Sequence, residues 1–312
     1  MNQSSAPRTG RFPTVAFVAL VVAGVVVAGC GLGSKEKTSS SERPESSVVE
    51  ATPSQVPKQT LTVGRTVWYL GFKWTFETLT FDPQDDARVT GEVLAENLSN
   101  QDYTPDAGLL LSVGGRQYEG GFVDPTLVGG GQKSRQTVAF QLDDAFAGKL
   151  DSGEIIVGNA DNTQAHVPLG SAGTLVANEP RSVLSGSHEV RIHEMSVWIK
   201  NCEVRPDVVP THEQAKKGYT MLACGVDLQR HLDGGNGSGF GSENLRLKMP
   251  DGTTVGPTDY PSEALYTSAI VPDKYVSFLI PEATTGRAAV QVVVVAGDKP
   301  KPGEIKDLPI TL

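Results

Sequence analysis

The chain has 312 residues, 38% hydrophobic and 20% charged, enough for two ordinary domains. Its formal net charge of −9 disfavours nucleic acid, whose binding needs basic clusters that displace counterions, and it disfavours docking on anionic lipid headgroups. With 34 Gly and 20 Pro among many Val and Thr, the composition points to strands and turns rather than helices.

The first element is apolar. Arg8 and Arg11 precede an unbroken run from Val15 to Val27, with no acidic residue upstream. That length suits the h-region of a signal peptide and is short of the roughly 20 residues a membrane span needs. The run closes on Val27-Ala28-Gly29-Cys30. These residues resemble the lipobox of bacterial lipoproteins, with an aliphatic residue and two small ones before a cysteine. The resemblance implies that residues 1–29 are a signal peptide and that the Cys30 thiol carries a diacylglycerol. The protein would then sit on the extracytoplasmic side of the cell membrane, partnered with the bilayer through its lipid. The competing reading is an uncleaved anchor with an incidental cysteine. Cleavage would leave 25 basic against 36 acidic residues, a net charge of −11.

Residues 30–60 are rich in Ser, Glu, Lys and Pro and have neither an aromatic residue nor an apolar period. Such a segment buries too little surface to offset its ordering entropy, so it is expected to be a disordered tether. As a flexible coil it spans on the order of 30 Å.

From Leu61 the pattern becomes short alternating runs. Val89, Gly91, Val93 and Ala95 share one parity; Leu109, Leu111 and Val113 alternate into a Gly114-Gly115 turn; Val138, Phe140 and Leu142 follow. Period two with one polar face predicts antiparallel sheets. The same order recurs later. Leu222, Cys224, Val226 and Leu228 match the first set; Leu245, Leu247 and Met249 run into Asp251-Gly252; Val276, Phe278 and Ile280 match the third. Trp198 stands where Trp74 stood. Tandem copies over 61–170 and 182–312 follow, with a boundary in the small, polar stretch Ser171 to Arg181. Short strands with turns every few residues predict an all-β chain of two immunoglobulin-like β-sandwich domains. The L-x-L-x-x-G-G or D-G turn followed by V-x-F-x-L resembles telokin-like domains of bacterial surface lipoproteins, relatives of immunoprotective-antigen sandwiches. That resemblance implies a fold, a surface location and a binding role, with no catalytic set to carry over.

With Cys30 lipidated, Cys202 and Cys224 remain as an even pair in an oxidising compartment, which predicts a disulfide. The repeat aligns them with Thr78 and Gly91. Two facings are open for Cys202. It points inward with Trp198 if that is the core tryptophan, or through a bulge near Asn201 if Val197 and Ile199 are core.

Other candidates are weaker. Trp68, Tyr69 and Phe72, with Trp74, are dense for a chain only 6% aromatic; they form either an exposed ledge for glycan rings or peptide, or core packing around Trp74. His212-Glu213, in the loop Arg205 to Gly218, reads as solvated rather than as a metal site. Asp233 to Ser242 is glycine-rich but lacks the Lys-Ser/Thr of a phosphate loop, and reads as a connector. No HExxH and no GxSxG occurs. No cofactor or metal is expected. The expected function is that of a non-enzymatic envelope lipoprotein presenting two sandwiches to a protein, wall polymer or small ligand; the alternative is an envelope hydrolase with a loop-built site. A transporter's solute-binding lipoprotein would need alternating helix and strand.

Overall fold

Alternation of apolar and polar residues makes half-buried strands, and such strands dominate the chain. The structure is a computed structural model that describes residues 57–85, 88–143, 146, 149–231, 238–293 and 305–312. These all fall in one contact unit, Pro53–Leu312. The apolar run, Cys30, nearly all of the tether and the first half of the glycine-rich stretch lie outside the described residues.

The fold is all-β, and among the described residues every sheet is antiparallel. Eight strands build the first lobe: β1 (Gln59–Tyr69), β2 (Phe72–Asp82), β3 (Arg88–Asn97), β4 (Leu109–Val113), β5 (Arg116–Val123), β6 (Lys133–Gln141), β7 (Glu154–Val157) and β8 (Ala165–Pro168). They form one continuous sheet in the order β1-β2-β3-β6-β5-β4-β7-β8. Separate sheets were expected. The layers are joined because β5 pairs with β4 through its first half and with β6 through its second, the two ladders meeting at Gly120. A Cβ at Gly120 would run into the ring of Phe140, so this corner accepts only glycine.

The second lobe contains β9 (Arg181–Ile192), β10 (Met195–Arg205), β11 (Asp207–Val208), β12 (Glu213–Gln214), β13 (Tyr219–Arg230), β14 (Ser238–Phe240), β15 (Leu245–Lys248), β16 (Thr254–Val255), β17 (Glu263–Leu265), β18 (Val271–Pro281), β19 (Arg287–Val293) and β20 (Ile305–Thr311). Two four-stranded sheets, β18-β13-β10-β9 and β16-β15-β19-β20, are supplemented by the pairs β11-β12 and β14-β17. The first of these sheets repeats β6-β3-β2-β1 and the second repeats β5-β4-β7-β8, strand for strand. Each lobe has its own hydrophobic core, one around Trp74, Phe76 and Phe140 and one around Val197, Val226 and Phe278.

The register of the repeat differs by one residue from the tryptophan alignment. Trp74 pairs with Ala95, and Val197 pairs with Leu228 in the equivalent ladder. Val197 and Ile199 are fully buried, whereas Trp198 lies half-buried on the opposite face. Trp198 is therefore not a core tryptophan. Two β-branched residues of one parity outweigh a single aromatic of the other. Cys202 would point outward on that parity, but β10 shifts register after Lys200, where Asn201 takes a left-handed φ of 45°. The extra residue turns Cys202 inward. Its sulfur meets that of Cys224 at 2.06 Å, with the Cα atoms 4.2 Å apart and both residues fully buried. The counterparts in the first lobe are Leu79 and Gly91, which pair directly, rather than Thr78 and Gly91. There the Leu79 side chain fills the space that the disulfide fills in the second lobe.

The aromatic ledge is also corrected. Tyr69 and Phe72 are each 1% exposed and belong to the first core, and Trp68 is half-buried beneath Lys73, whose Nζ sits 5.4 Å from its ring centroid. Alternation places Tyr69 in β1 and Phe72 in β2 on the inward parity with Val67 and Trp74, so they cannot form an outer face.

Candidate functional site

The stretch between β10 and β13 is where the two lobes meet. It was expected to be a solvated loop. Asp207, Val208 and Ala215 are instead fully buried, and β11 and β12 fold it into a small hairpin that clasps the first lobe. Asp207 carries the central contact. Its Oδ1 accepts from Arg205 Nε at 2.7 Å, and its Oδ2 accepts from the backbone N–H of Gly71, in the β1–β2 turn, at 2.6 Å. Gln214 accepts from the Leu70 N–H at 3.1 Å and donates to the Thr163 carbonyl at 2.9 Å. Tyr103 donates its hydroxyl to the Pro210 carbonyl at 3.1 Å. Thr163 adds a backbone bond to the Ala215 carbonyl at 2.9 Å.

His212 is the plug of this clasp. A left-handed φ of 55° turns it into the first lobe, where its ring stacks on Tyr103 with centroids 3.6 Å apart and meets Phe72 edge-on at 5.1 Å. Its Nε2 is buried and has no partner among the described residues. Burial pushes its pKa below the ordinary histidine value, against the opposing pulls of the Leu70 carbonyl and Asp207. The imidazole is thus held neutral. Among the described residues no group of three His, Cys, Asp or Glu gathers here or elsewhere in metal-binding range.

Beside the clasp lies a groove of about 510 Å³. Its floor is the outer face of β13, where Ala223 and Gly225 leave room by their small size. Lys200, Glu203 and Arg205 of β10 form one wall; Asp273 and Tyr275 of β18 form the other; the Ser99–Gln101 turn of the first lobe overhangs it. That turn is braced from within. The fully buried Asn97 side chain donates to the Gln101 and Val128 carbonyls at 2.7 and 3.0 Å and accepts from Ser99 N and Oγ at 3.0 and 2.8 Å.

The cations of the groove are already matched. Lys200 Nζ bonds Asp227 at 2.6 Å and lies 3.5 Å from Asp273, which raises its pKa. Arg205, 6% exposed, donates from Nη1 to Glu203 at 3.1 Å as well as from Nε to Asp207. Burial opposes its charge, but the two carboxylates prevail and its pKa stands above the usual value. Its Nη2 is enclosed without a protein partner among the described residues. Burial also raises the Tyr275 phenol, so it stays protonated.

A second polar cluster sits at the far end of β10. Ser196, fully buried, donates from Oγ to Glu189, and His231 Nε2 lies 2.7 Å from the same oxygen. The serine proton is directed at the carboxylate, so the imidazole donates to the hydroxyl rather than accepting from it. A serine nucleophile needs the reverse. This cluster is a brace between β9, β10 and the end of β13.

Sequence reasoning located the loop but missed Arg205, Asp207 and Gln214. The available signal was a polar run, Arg205-Pro206-Asp207, directly continuing a strand pattern. No protein-family model matches the chain, and no curated protein matches it. Among solved structures it is similar to "the crystal structure of the conserved domain protein from Bacillus anthracis", at 12% identity over 81% of this chain and 90% of that one, with a TM-score of 0.21.

Proposed function

We propose that this chain is a non-enzymatic envelope lipoprotein, tethered by a lipid on Cys30, that uses its two β-lobes to bind a protein, a wall polymer or a small ligand outside the cytoplasmic membrane. The observation that carries the reading is the charged, apolar and small-residue succession from Arg8 to Cys30. The bonded pair Cys202–Cys224 supports it, since disulfides persist in oxidising compartments. The clasp supports a binding role, because it holds two lobes in one arrangement and keeps a polar groove open between them. The binding reading rather than a hydrolytic one rests on the missing nucleophile and metal motifs and on the orientation of the Ser196 proton.

The test is metabolic labelling. Cells fed a tagged fatty acid should label the wild-type chain, and Cys30→Ala should abolish both the label and processing of the precursor. A diacylglycerol provides the two chains that stable anchoring requires. Label retained in Cys30→Ala would overturn the reading.

A further inference from the structure

We propose that the groove between Tyr275 and the Ser99–Gln101 turn is a binding site for a neutral saccharide. This deepens the function proposed above and rests on its placing the chain in the envelope.

Charge removes the other ligand classes first. Lys200, Arg205 and Lys274 line the groove with Glu203 and Asp273, and directly behind them stand Asp207, Asp227 and Glu263. Every cation is paired with a carboxylate and the carboxylates are in excess. An anionic ligand would break existing pairs and meet net negative charge. A strongly cationic ligand would compete with Lys200 for Asp273 and with Arg205 for Glu203.

The remaining groups suit hydroxyls, which both donate and accept. Asn100 and Gln101 line the rim with exposed amide side chains, and Glu203 and Asp273 retain exposed carboxylate surface. Leu98, Val209, Pro210 and the Tyr275 ring supply apolar wall for the C–H faces of a sugar. The overhanging turn is held by Asn97 before any ligand arrives, so little ordering entropy is lost on binding.

Gly225 provides the test. Its neighbours Cys224 and Val226 point into the core, so a side chain at 225 points into the groove. A Cβ there would make ordinary contact with Lys200, nearest atom 3.4 Å away, and the strand would accept a β-branched residue. Gly225→Val therefore fills the floor without touching the core. The full-length lipoprotein in detergent would be titrated calorimetrically with chitotetraose and cellotetraose, and in parallel with inorganic phosphate and a tetralysine peptide. The proposal expects heat with at least one saccharide, an affinity loss of about tenfold or more in Gly225→Val (~1.4 kcal/mol per tenfold), and an unchanged melting temperature for that variant. A smaller loss in Asn100→Ala would corroborate the rim. No saccharide binding, or binding unaffected by Gly225→Val, would overturn it; so would phosphate or the peptide competing for the groove. Failure here with intact labelling at Cys30 removes only the saccharide site. Loss of labelling with saccharide binding intact removes only the lipoprotein reading.

Discussion

Cys202 shows how a single backbone residue decides chemistry. Without the left-handed Asn201 the cysteine would face solvent, and its partner Cys224 would remain a lone buried thiol. The bridge closes a sequence separation of 22 residues, for which the chain-entropy account gives about 3 kcal/mol. The pairing was legible in the sequence from export and parity, but its facing was not, because alternation cannot register a bulge. The expected outcome of replacing both cysteines by alanine is a loss of about 3 kcal/mol confined to the second lobe. Urea unfolding followed at Trp198, with Trp68 and Trp74 replaced by phenylalanine, measures that lobe. The first lobe, followed at Trp74 alone, should be unmoved. Equal losses at both probes would show that the lobes unfold as one unit.

The clasp between β11 and β12 is the element that sequence reasoning undervalued. A loop with Asp, His, Glu and Gln reads as solvated, because polar residues in a loop ordinarily face water. Here the polar groups satisfy backbone donors and acceptors of another lobe, and those partners lie 51 to 144 residues away in the chain. His212 gives the element a pH dependence. Its pKa in the folded protein is held below the unfolded value of about 6.5 by burial, so the folded state binds fewer protons than the unfolded one. Its contribution to stability is then fully present above that value and is lost as the pH falls below it. Asp207 and the Leu70 carbonyl favour the protonated form but do not reverse the sign. Thermal melts from pH 7.5 to pH 5 should fall more steeply for wild type than for His212→Gln, whose side chain stays neutral. Parallel curves would place the proton uptake at another group.

At the scale of the molecule, two cores share one joint. Asp207 is 0% exposed and bridges Arg205 to the Gly71 N–H, so removing its charge leaves the buried guanidinium with Glu203 as its one carboxylate, at a cost of up to about 3 kcal/mol. Gln214 spans the same boundary from the other side. The double variant Asp207→Asn, Gln214→Ala should therefore release the lobes. Dye pairs at the exposed positions Glu119 and Thr253 would report one narrow transfer efficiency for wild type and a broadened distribution for the variant. A distribution as narrow as that of the wild type would mean that Tyr103, His212 and Thr163 hold the joint unaided. If the lobes do part, the groove beside the clasp should lose its overhang and its saccharide affinity together.

What the sequence by itself determined is local and periodic. Parity along each run placed Val89, Val93, Phe140, Leu222, Val226 and Phe278 in the core, and recurrence of the same order revealed two equivalent strand sets. Those signals survive because each strand must bury one face whatever its neighbours are. Tertiary structure alone decided which tryptophan is central, how β5 joins two layers, and which polar residues face another lobe instead of water. Each of these depends on a bulge, a bend or a partner distant in the chain, and a period-two pattern records none of them. Arg205 and Asp207 look like two surface charges until the fold brings the Gly71 amide against them and shuts out the solvent.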